Sequence, residues 1–338
     1  MKIKFFLSGN DLAPTTISGK LFARALIDSG YDVEIVQNVN RKKQILRSQD
    51  CDVIIFQKTV FPGHYYEDVK HLKGKVYLIY IDDDFLAMKD KGHIRALRNS
   101  NLILVGNKQH ADKMHLYTKT PVETITSIHD FENYPYKSFE ERKNNPLIIG
   151  WQQSLADVYV DDLLSIKNAL TSIHEEYNVR LRLYGWHKGK HYNKPDNRVL
   201  VKKHLPFAEF IPFLPYNRYI KAIVPQIASS DIFIVPYLNI SDRYGKSGFG
   251  LKRIMMSGVP VIVSDIGIHK ELIEDGCNGF IAKNEMEWYE KLKKLIDNPE
   301  LRKKFSLAGK NLMVSEYNYQ KCVDMFVDAI KKHITDFS

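Results

Sequence analysis

Between Ser230 and Asn284 two apolar, β-branched runs of strand length, Asp231 to Pro236 and Pro260 to Asp265, enclose a glycine-punctuated turn and an apolar helical segment. The stretch therefore reads strand, loop, helix, strand, which is one unit of a parallel sheet. In such a sheet the loop after each strand lies at the carboxyl edge, where ligands bind, so Asn239 to Gly250 is expected to line a ligand crevice. Gly245, Gly248 and Gly250 let the backbone approach a bound group closely. A helix starting just beyond them presents N–H groups and the positive end of its dipole, an arrangement suited to an anion, and Lys246 adds a full charge beside it.

The same alternation runs through the chain. Lys2 to Ser8 reads as a strand, Ser18 to Ser29 as a helix with Leu21, Ala25 and Leu26 in helical spacing, and Asp32 to Gln37 as a second strand after Gly30. Asp52 to Phe56, Lys75 to Ile81, Leu102 to Val105 and Val122 to Thr126 continue the series, which makes a doubly wound parallel sheet. A chain of 338 residues exceeds the usual single domain, and Glu132 to Asn145, which mixes Pro135 with aromatic and charged residues without periodicity, divides it. Leu147 to Gly150 opens a second series, with a helix over Val158 to Tyr177 and a strand over Arg180 to Tyr184. Helical segments over Glu285 to Asp297, Pro299 to Glu316 and Tyr319 to Asp336 follow, the last with Cys322, Phe326, Ile330 and Ile334 on one stripe. The expected organisation is a first domain over 1–132, a linker over 133–146, a second domain over 147–316 and a terminal helix over 317–338.

Two features of the first domain bear on chemistry. The loop from Gly9 to Gly19 is too long for a simple connection. It is not a Walker loop, because Pro14 stands where that motif needs its first glycine before Gly19-Lys20. Asp82, Asp83 and Asp84 sit directly after a strand, and their charge would suit a divalent cation. Successive side chains of an extended segment point in alternating directions and cannot all converge, so no metal site is expected.

Gly248-Phe249-Gly250, Met255 to Gly258, Pro260 to Asp265 and the glycine-bounded stretch Glu271 to Phe280 stand in a distinctive order and spacing. They resemble the nucleotide-sugar site of retaining GT-B glycosyltransferases of the family 4, or glycosyl transferases group 1, type. The resemblance is strong from Ser230 to Glu316 and weak before Pro146. It implies an α/β GT-B fold of two Rossmann-like, doubly wound domains facing a central cleft, the terminal helix crossing back to cover the first. It also implies a retaining hexosyltransferase that moves a sugar from a nucleotide-diphosphate donor, a UDP- or GDP-sugar, to an acceptor hydroxyl in surface glycan or polysaccharide synthesis, with no cofactor required.

The family commonly places a pair of glutamates across the loop, where this chain has Arg253 and a position near Gly245. A subgroup reading K-x-G-F is closer, with Lys246 as its lysine. On that resemblance Lys246, and after it Arg253, stabilise the departing diphosphate with the N–H groups of Ser247, Gly248, Phe249 and Gly250. Gly9, Thr15 and Thr16 contact acceptor or phosphate if their loop reaches the cleft, and are solvated otherwise. Asp82 or Asp83 contacts the transferred sugar or the acceptor hydroxyl. The family's diphosphate-binding arginine and lysine are replaced by Trp151, Gln152 and Gln153, as in a subgroup reading IGW-x-x-S. Trp151 and Ser154, with neighbouring N–H groups, are then the donor contacts of that loop. Gly185 and Trp186 follow the next strand at the crevice, Trp186 either packed or stacked on the base.

A net charge of +9 admits nucleic acid, an anionic membrane surface or an anionic substrate. The charge is spread evenly: residues 1–130 carry 19 Lys and Arg against 15 Asp and Glu, the remainder 30 against 25, so no nucleic-acid partner is expected. Arg302 to Lys304 reads as a solvated helix face. Arg41, Lys42, Lys43 and Arg47 read either in that way or as a patch for reversible docking on an anionic inner leaflet, which would suit a lipid-linked rather than a free glycan acceptor. No apolar run reaches the ~18 residues of a membrane span, and Met1 leads straight into a strand, so a cytoplasmic location is expected, with peripheral docking at the inner membrane face left open by the basic segment. Cys51, Cys277 and Cys322 are widely separated and read as reduced. Two further readings stay open. One is a nucleotide-sugar-binding partner without catalysis, motivated by the missing glutamates; the other is a glycosyltransferase of modified DNA bases, against which the even charge counts.

Overall fold

A computed structural model describes residues 1–7, 19–37, 50–57, 75–80, 94, 97–128, 134–153, 156–187, 196–240 and 243–334. The chain forms two compact units. Unit 1 comprises Met1–Asp130, Ile240–Ser247 and Tyr317–Ser338, and unit 2 comprises Phe131–Asn239 and Gly248–Glu316.

Unit 1 is built on six strands: β1 (Lys2–Phe6), β2 (Asp32–Val36), β3 (Val53–Gln57), β4 (Lys75–Tyr80), β5 (Leu102–Val105) and β6 (Val122–Thr124). All pair in parallel, in the order β2-β1-β3-β4-β5-β6. Side chains alternate between the faces of a strand. Ile3, Phe5, Val53, Ile55, Leu102 and Leu104 accordingly pack in one core, and Phe6, Ile54, Phe56, Ile103 and Val105 in another. The first is covered by the helices Leu21–Asp28 and Tyr319–Ile334, whose Phe22 and Phe326 rings stack with centroids 4.2 Å apart. Ala111 and Met114 of the helix Lys108–His115 join the second. The Leu21–Asp28 helix stops at Gly30, φ +89°, where Gly30 N–H bonds the Ile27 carbonyl and Tyr31 N–H that of Leu26, closing the otherwise orphaned carbonyls of the last turn.

Unit 2 has a second six-stranded sheet: β7 (Leu147–Gln152), β8 (Val179–Trp186), β9 (Glu209–Pro212), β10 (Ile232–Val235), β11 (Val261–Ser264) and β12 (Phe280–Ala282). It too is wholly parallel, in the order β12-β11-β10-β7-β8-β9. Gly150 of β7 lies opposite Phe233 of β10, and a Cβ there would come 2.5 Å from the Phe233 ring, so only glycine fits. The helix Phe249–Met256 ends as the one in unit 1 does, with Gly258 at φ +74°, its N–H on the Met255 carbonyl and Val259 N–H on that of Ile254. The neighbouring carbonyl of Ser257 is taken by buried Arg142, which donates to it at 2.9 Å and to the Ala228 carbonyl at 3.1 Å. Burial lowers the Arg142 guanidinium to about 10.

The structure amends the sequence reading in several places, among them Arg302, read as part of a solvated helix face, which is buried with its guanidinium on the Leu295 and Ile296 carbonyls. The single helix expected over Val158 to Tyr177 is a short 3-10 turn (Ala156–Val158) and two helices, Val160–Leu164 and Lys167–Glu176. At the break the Ser165 hydroxyl bonds the Asp162 carbonyl at 2.7 Å, competing with the helical ladder. Strand β8 runs on to Trp186 with a register shift after Tyr184, so Gly185 and Trp186 belong to the strand and not to a loop beyond it. Lastly, β9 and the helices Arg198–His204, Tyr216–Ala222 and Val224–Ala228 occupy a region that has no clear sequence signal.

Candidate active site

In unit 2 the chain leaves β7 for β8 and β9 on one side, then returns to β10 on the other. The carboxyl ends of β7 and β10 are therefore the topological switch point, the place in an open parallel sheet where loops diverge and leave a crevice. Gln152 and Gln153 stand at the end of β7, and Tyr237 follows β10. Gln153 Nε2 donates to the Tyr237 hydroxyl at 3.3 Å, and Tyr237 N–H donates to Ser264 Oγ, at the end of β11, at 2.8 Å. These contacts join three adjacent strand ends into one polar rim.

The turn before the Phe249–Met256 helix also opens on this edge. Gly248 is its N-cap in the left-handed region, φ +72°, and a Cβ there would lie 2.9 Å from Leu272 Cδ1 and 3.0 Å from Ile268 Cγ1. Gly250, in the first turn, has open space where a Cβ would be. First-turn N–H groups have no carbonyl four residues back within the helix, so this end favours an anion. Ser247 is buried, while Gly248, Phe249 and Gly250 are half-buried. Lys246, also half-buried, closes the segment Ile240–Ser247 with Ser247 and is part of unit 1. Its carbonyl accepts from the Asn107 side chain at 3.1 Å, and that of Tyr244 from the same amide at 2.6 Å.

Arg253 is turned away from solvent and packs among aromatic rings. It is 6 % exposed, with its guanidinium carbon 4.2 Å from the Phe249 ring centroid, 4.8 Å from that of Tyr219 and 5.9 Å from that of Tyr134. It donates to the hydroxyls of Tyr219 at 3.2 Å and Tyr134 at 3.3 Å. Tyr219, pushed up to about 12 by burial, in turn donates to Gln152 Oε1 at 3.0 Å, so a relay of contacts runs from Arg253 to the end of β7.

Trp151, expected at a carboxyl-edge loop, lies inside β7. Its side chain is fully buried among Ile149, Val160 and Leu183, so its ring belongs to the core and not to a ligand. Trp186, 1 % exposed and edge-on to Phe210 at 4.9 Å, is the packed aromatic of the two options. Gly185 is buried at φ +103°, beside the register shift of β8. Gly9, Thr15, Thr16, Asp82, Asp83, Ser154 and the run Arg41 to Arg47 lie outside the described residues. Among the described residues no three His, Cys, Asp or Glu side chains are grouped to hold a metal, and no helix is long and apolar enough to cross a membrane. Asn107, Tyr219, Tyr237 and His269, taken up below, carry no local motif and are recognisable only once the strands are assembled.

Residues 137–312, just over half of the chain, match the family described as glycosyl transferases group 1. The chain belongs to that family. The fold of this glycosyltransferase is shared with solved structures at low identity. A sucrose-phosphate synthase from Thermosynechococcus elongatus superposes with a TM-score of 0.75 at 11% identity, over 99% of this chain and 100% of that one. HepE from Anabaena gives 0.72 at 12%, over 98% and 100%, and a glycosyltransferase from Rickettsia africae gives 0.70 at 13%, over 99% of each. No curated protein sequence matches the chain. The glycosyltransferase thus has the GT-B type of α/β fold, with a Rossmann-like, wholly parallel sheet in each of its two units.

Proposed function

We propose that this glycosyltransferase binds a nucleotide-diphosphate sugar, a UDP- or GDP-sugar, at the carboxyl edge of unit 2 and transfers the sugar to an acceptor hydroxyl with retention of configuration. The observation that carries the reading is the left-handed Gly248 turn at the switch point, with open Gly250 in the first turn of the helix behind it. A diphosphate seated there meets main-chain N–H dipoles already oriented, which stabilise negative charge as the leaving oxygen develops it. Lys246, two residues before Gly248, supplies the positive charge that the departing diphosphate needs. Arg253 acts as a positioning residue through Tyr219 and Gln152, because its guanidinium is already engaged by aromatic and hydroxyl groups. The HepE structure is of a complex with UDP-glucose, which supports a donor of this class.

The acceptor is a glycan or a lipid-linked hydroxyl in surface glycan synthesis, reached by weak adsorption of the basic chain to an anionic membrane. Calorimetry with UDP- and GDP-sugars tests donor binding, and NMR of the anomeric proton in the product tests retention. Tight donor binding with no nucleotide release over hours would instead establish a non-catalytic sugar-nucleotide-binding protein. Equal sedimentation with neutral and acidic vesicles would remove the membrane from the proposal.

A further inference from the structure

One buried base at the carboxyl edge of unit 2 has no part in the donor site as drawn above. His269 opens the short helix His269–Leu272 just after β11 and is 2 % exposed. Its Nδ1 lies 3.0 Å from the carbonyl oxygen of Ser264. A carbonyl oxygen only accepts, so Nδ1 carries the proton. Burial also depresses the imidazolium to about 4, so the ring is neutral and Nε2 holds an unshared electron pair.

Several contacts hold the ring in place. The ring lies flat on Tyr237, centroids 5.0 Å apart and planes 14° from parallel, and Tyr237 also meets the tilted ring of Tyr159, centroids 6.3 Å apart. The Tyr237 hydroxyl is held by Gln153, and its N–H by the Ser264 hydroxyl. Gln153, Tyr237 and His269 thus form a row across the ends of β7, β10 and β11, spanning the switch point. The two nitrogens of an imidazole diverge widely in direction. With Nδ1 anchored on the last carbonyl of β11, Nε2 is the acceptor that the ring has left for another group.

We propose that His269 Nε2 is a hydrogen-bond acceptor for the donor substrate, taking a hydroxyl of its sugar or ribose, with the Ser264 carbonyl fixing the tautomer and Tyr237 fixing the plane. The proposal rests on the donor reading above. Its chemical logic is electrostatic: a carboxylate would accept the same hydroxyl but would repel the diphosphate nearby, whereas a neutral imidazole accepts without adding negative charge. Gln153 and Tyr237, the other members of the row, offer an amide and a phenol, so His269 supplies its one basic nitrogen.

The test uses the full chain labelled with 15N-histidine, the His269 signals being assigned by their loss in His269→Phe. Before ligand, His269 is expected as the neutral Nδ1–H tautomer at pH 7. Saturation with UDP-glucose or a GDP-sugar, with occupancy fixed independently by calorimetry, is expected to move its Nε2 resonance towards the protonated position. In a folded His269→Phe variant, which keeps a ring on Tyr237, donor affinity is expected to fall at least tenfold. An Nε2–H tautomer, or an Nε2 signal that stays in place while calorimetry shows full occupancy, overturns the proposal and leaves the donor reading standing. Failure of any nucleotide sugar to bind the unmodified protein overturns both.

Discussion

Asn107 donates its side-chain amide to the main-chain carbonyl of Lys246 at 3.1 Å and to that of Tyr244 at 2.6 Å, while its Oδ1 accepts the His110 N–H at 2.8 Å. A single fully buried residue therefore caps the Lys108–His115 helix and pins the turn that carries the proposed leaving-group lysine. Asn107→Asp separates the two duties, because a carboxylate still caps the helix but cannot donate to either carbonyl. Two lost bonds at ~0.5–1.5 kcal/mol each, plus repulsion between the carboxylate and the carbonyls, should cost roughly 2–4 kcal/mol. Turnover should fall with stability. An unchanged denaturant midpoint and unchanged turnover would show that the turn holds itself.

Lys246→Ala should lower turnover ten- to hundredfold with a cooperative melt near that of the parent. A charge-assisted contact felt only in the transition state is worth ~1.5–3 kcal/mol, which sets that range. Parental turnover in a folded variant would eliminate this lysine from the mechanism.

Gly248 and Gly250 should respond in opposite ways to alanine. At Gly248 the left-handed backbone and the crowding by Leu272 and Ile268 should together destabilise by about 2–4 kcal/mol. At Gly250 a methyl group meets nothing in the protein, and alanine in a helix is favoured over glycine by ~0.8–1 kcal/mol, so stability should rise. Donor affinity should nevertheless weaken in Gly250→Ala, because the open space is where the proposed diphosphate approaches. Unchanged donor affinity there would move the diphosphate elsewhere.

Acid should weaken the fold through His269. Its folded value lies near 4 against an ordinary 6.5, so between those pH values the unfolded chain binds the proton and the native ring does not. Stability from this group is complete above about pH 6.5 and declines as pH falls to 4, by roughly 3 kcal/mol in total. The difference in unfolding free energy between parent and His269→Phe, followed from pH 7 to 4, should shrink or reverse in that window. A difference that stays constant would mean the ring is readily protonated in the native state.

Arg253→Met should preserve volume but remove the donors to Tyr134 and Tyr219, costing about 1–3 kcal/mol. If Arg253 acts through Gln152, Tyr219→Phe should reproduce its kinetic defect, and the double variant should add little. Additive defects would point to direct contact of Arg253 with the substrate.

Much of the frame is legible in the sequence because it depends on local periodicity. The β10 run, the glycine turn and β11 lie where the apolar pattern places them, since strands buried on both faces read as unbroken apolar segments. The short edge strand β9 was not legible: it has four residues, ends in Pro212, and owes its place to Arg180 and Arg182 of β8, which pair with Glu209. Trp151 misled for a related reason. It abuts the loop in sequence, yet strand alternation turns its ring into the core with Ile149. The polar rim escaped altogether, because Gln153 meets Tyr237 across 84 positions and Tyr237 meets Ser264 across 27, distances at which spacing carries no information.

The stacking of Phe22 on Phe326 also constrains how the molecule comes into being on the ribosome. The sheet of unit 1 emerges early, but the helix that covers one of its faces is translated only after all of unit 2. At ~5–20 residues per second, Phe22 waits ~15–60 s for its partner. During that interval Ile3, Phe5, Phe22 and Leu26 form a nascent apolar face without its lid, a surface on which a holdase chaperone would find its client.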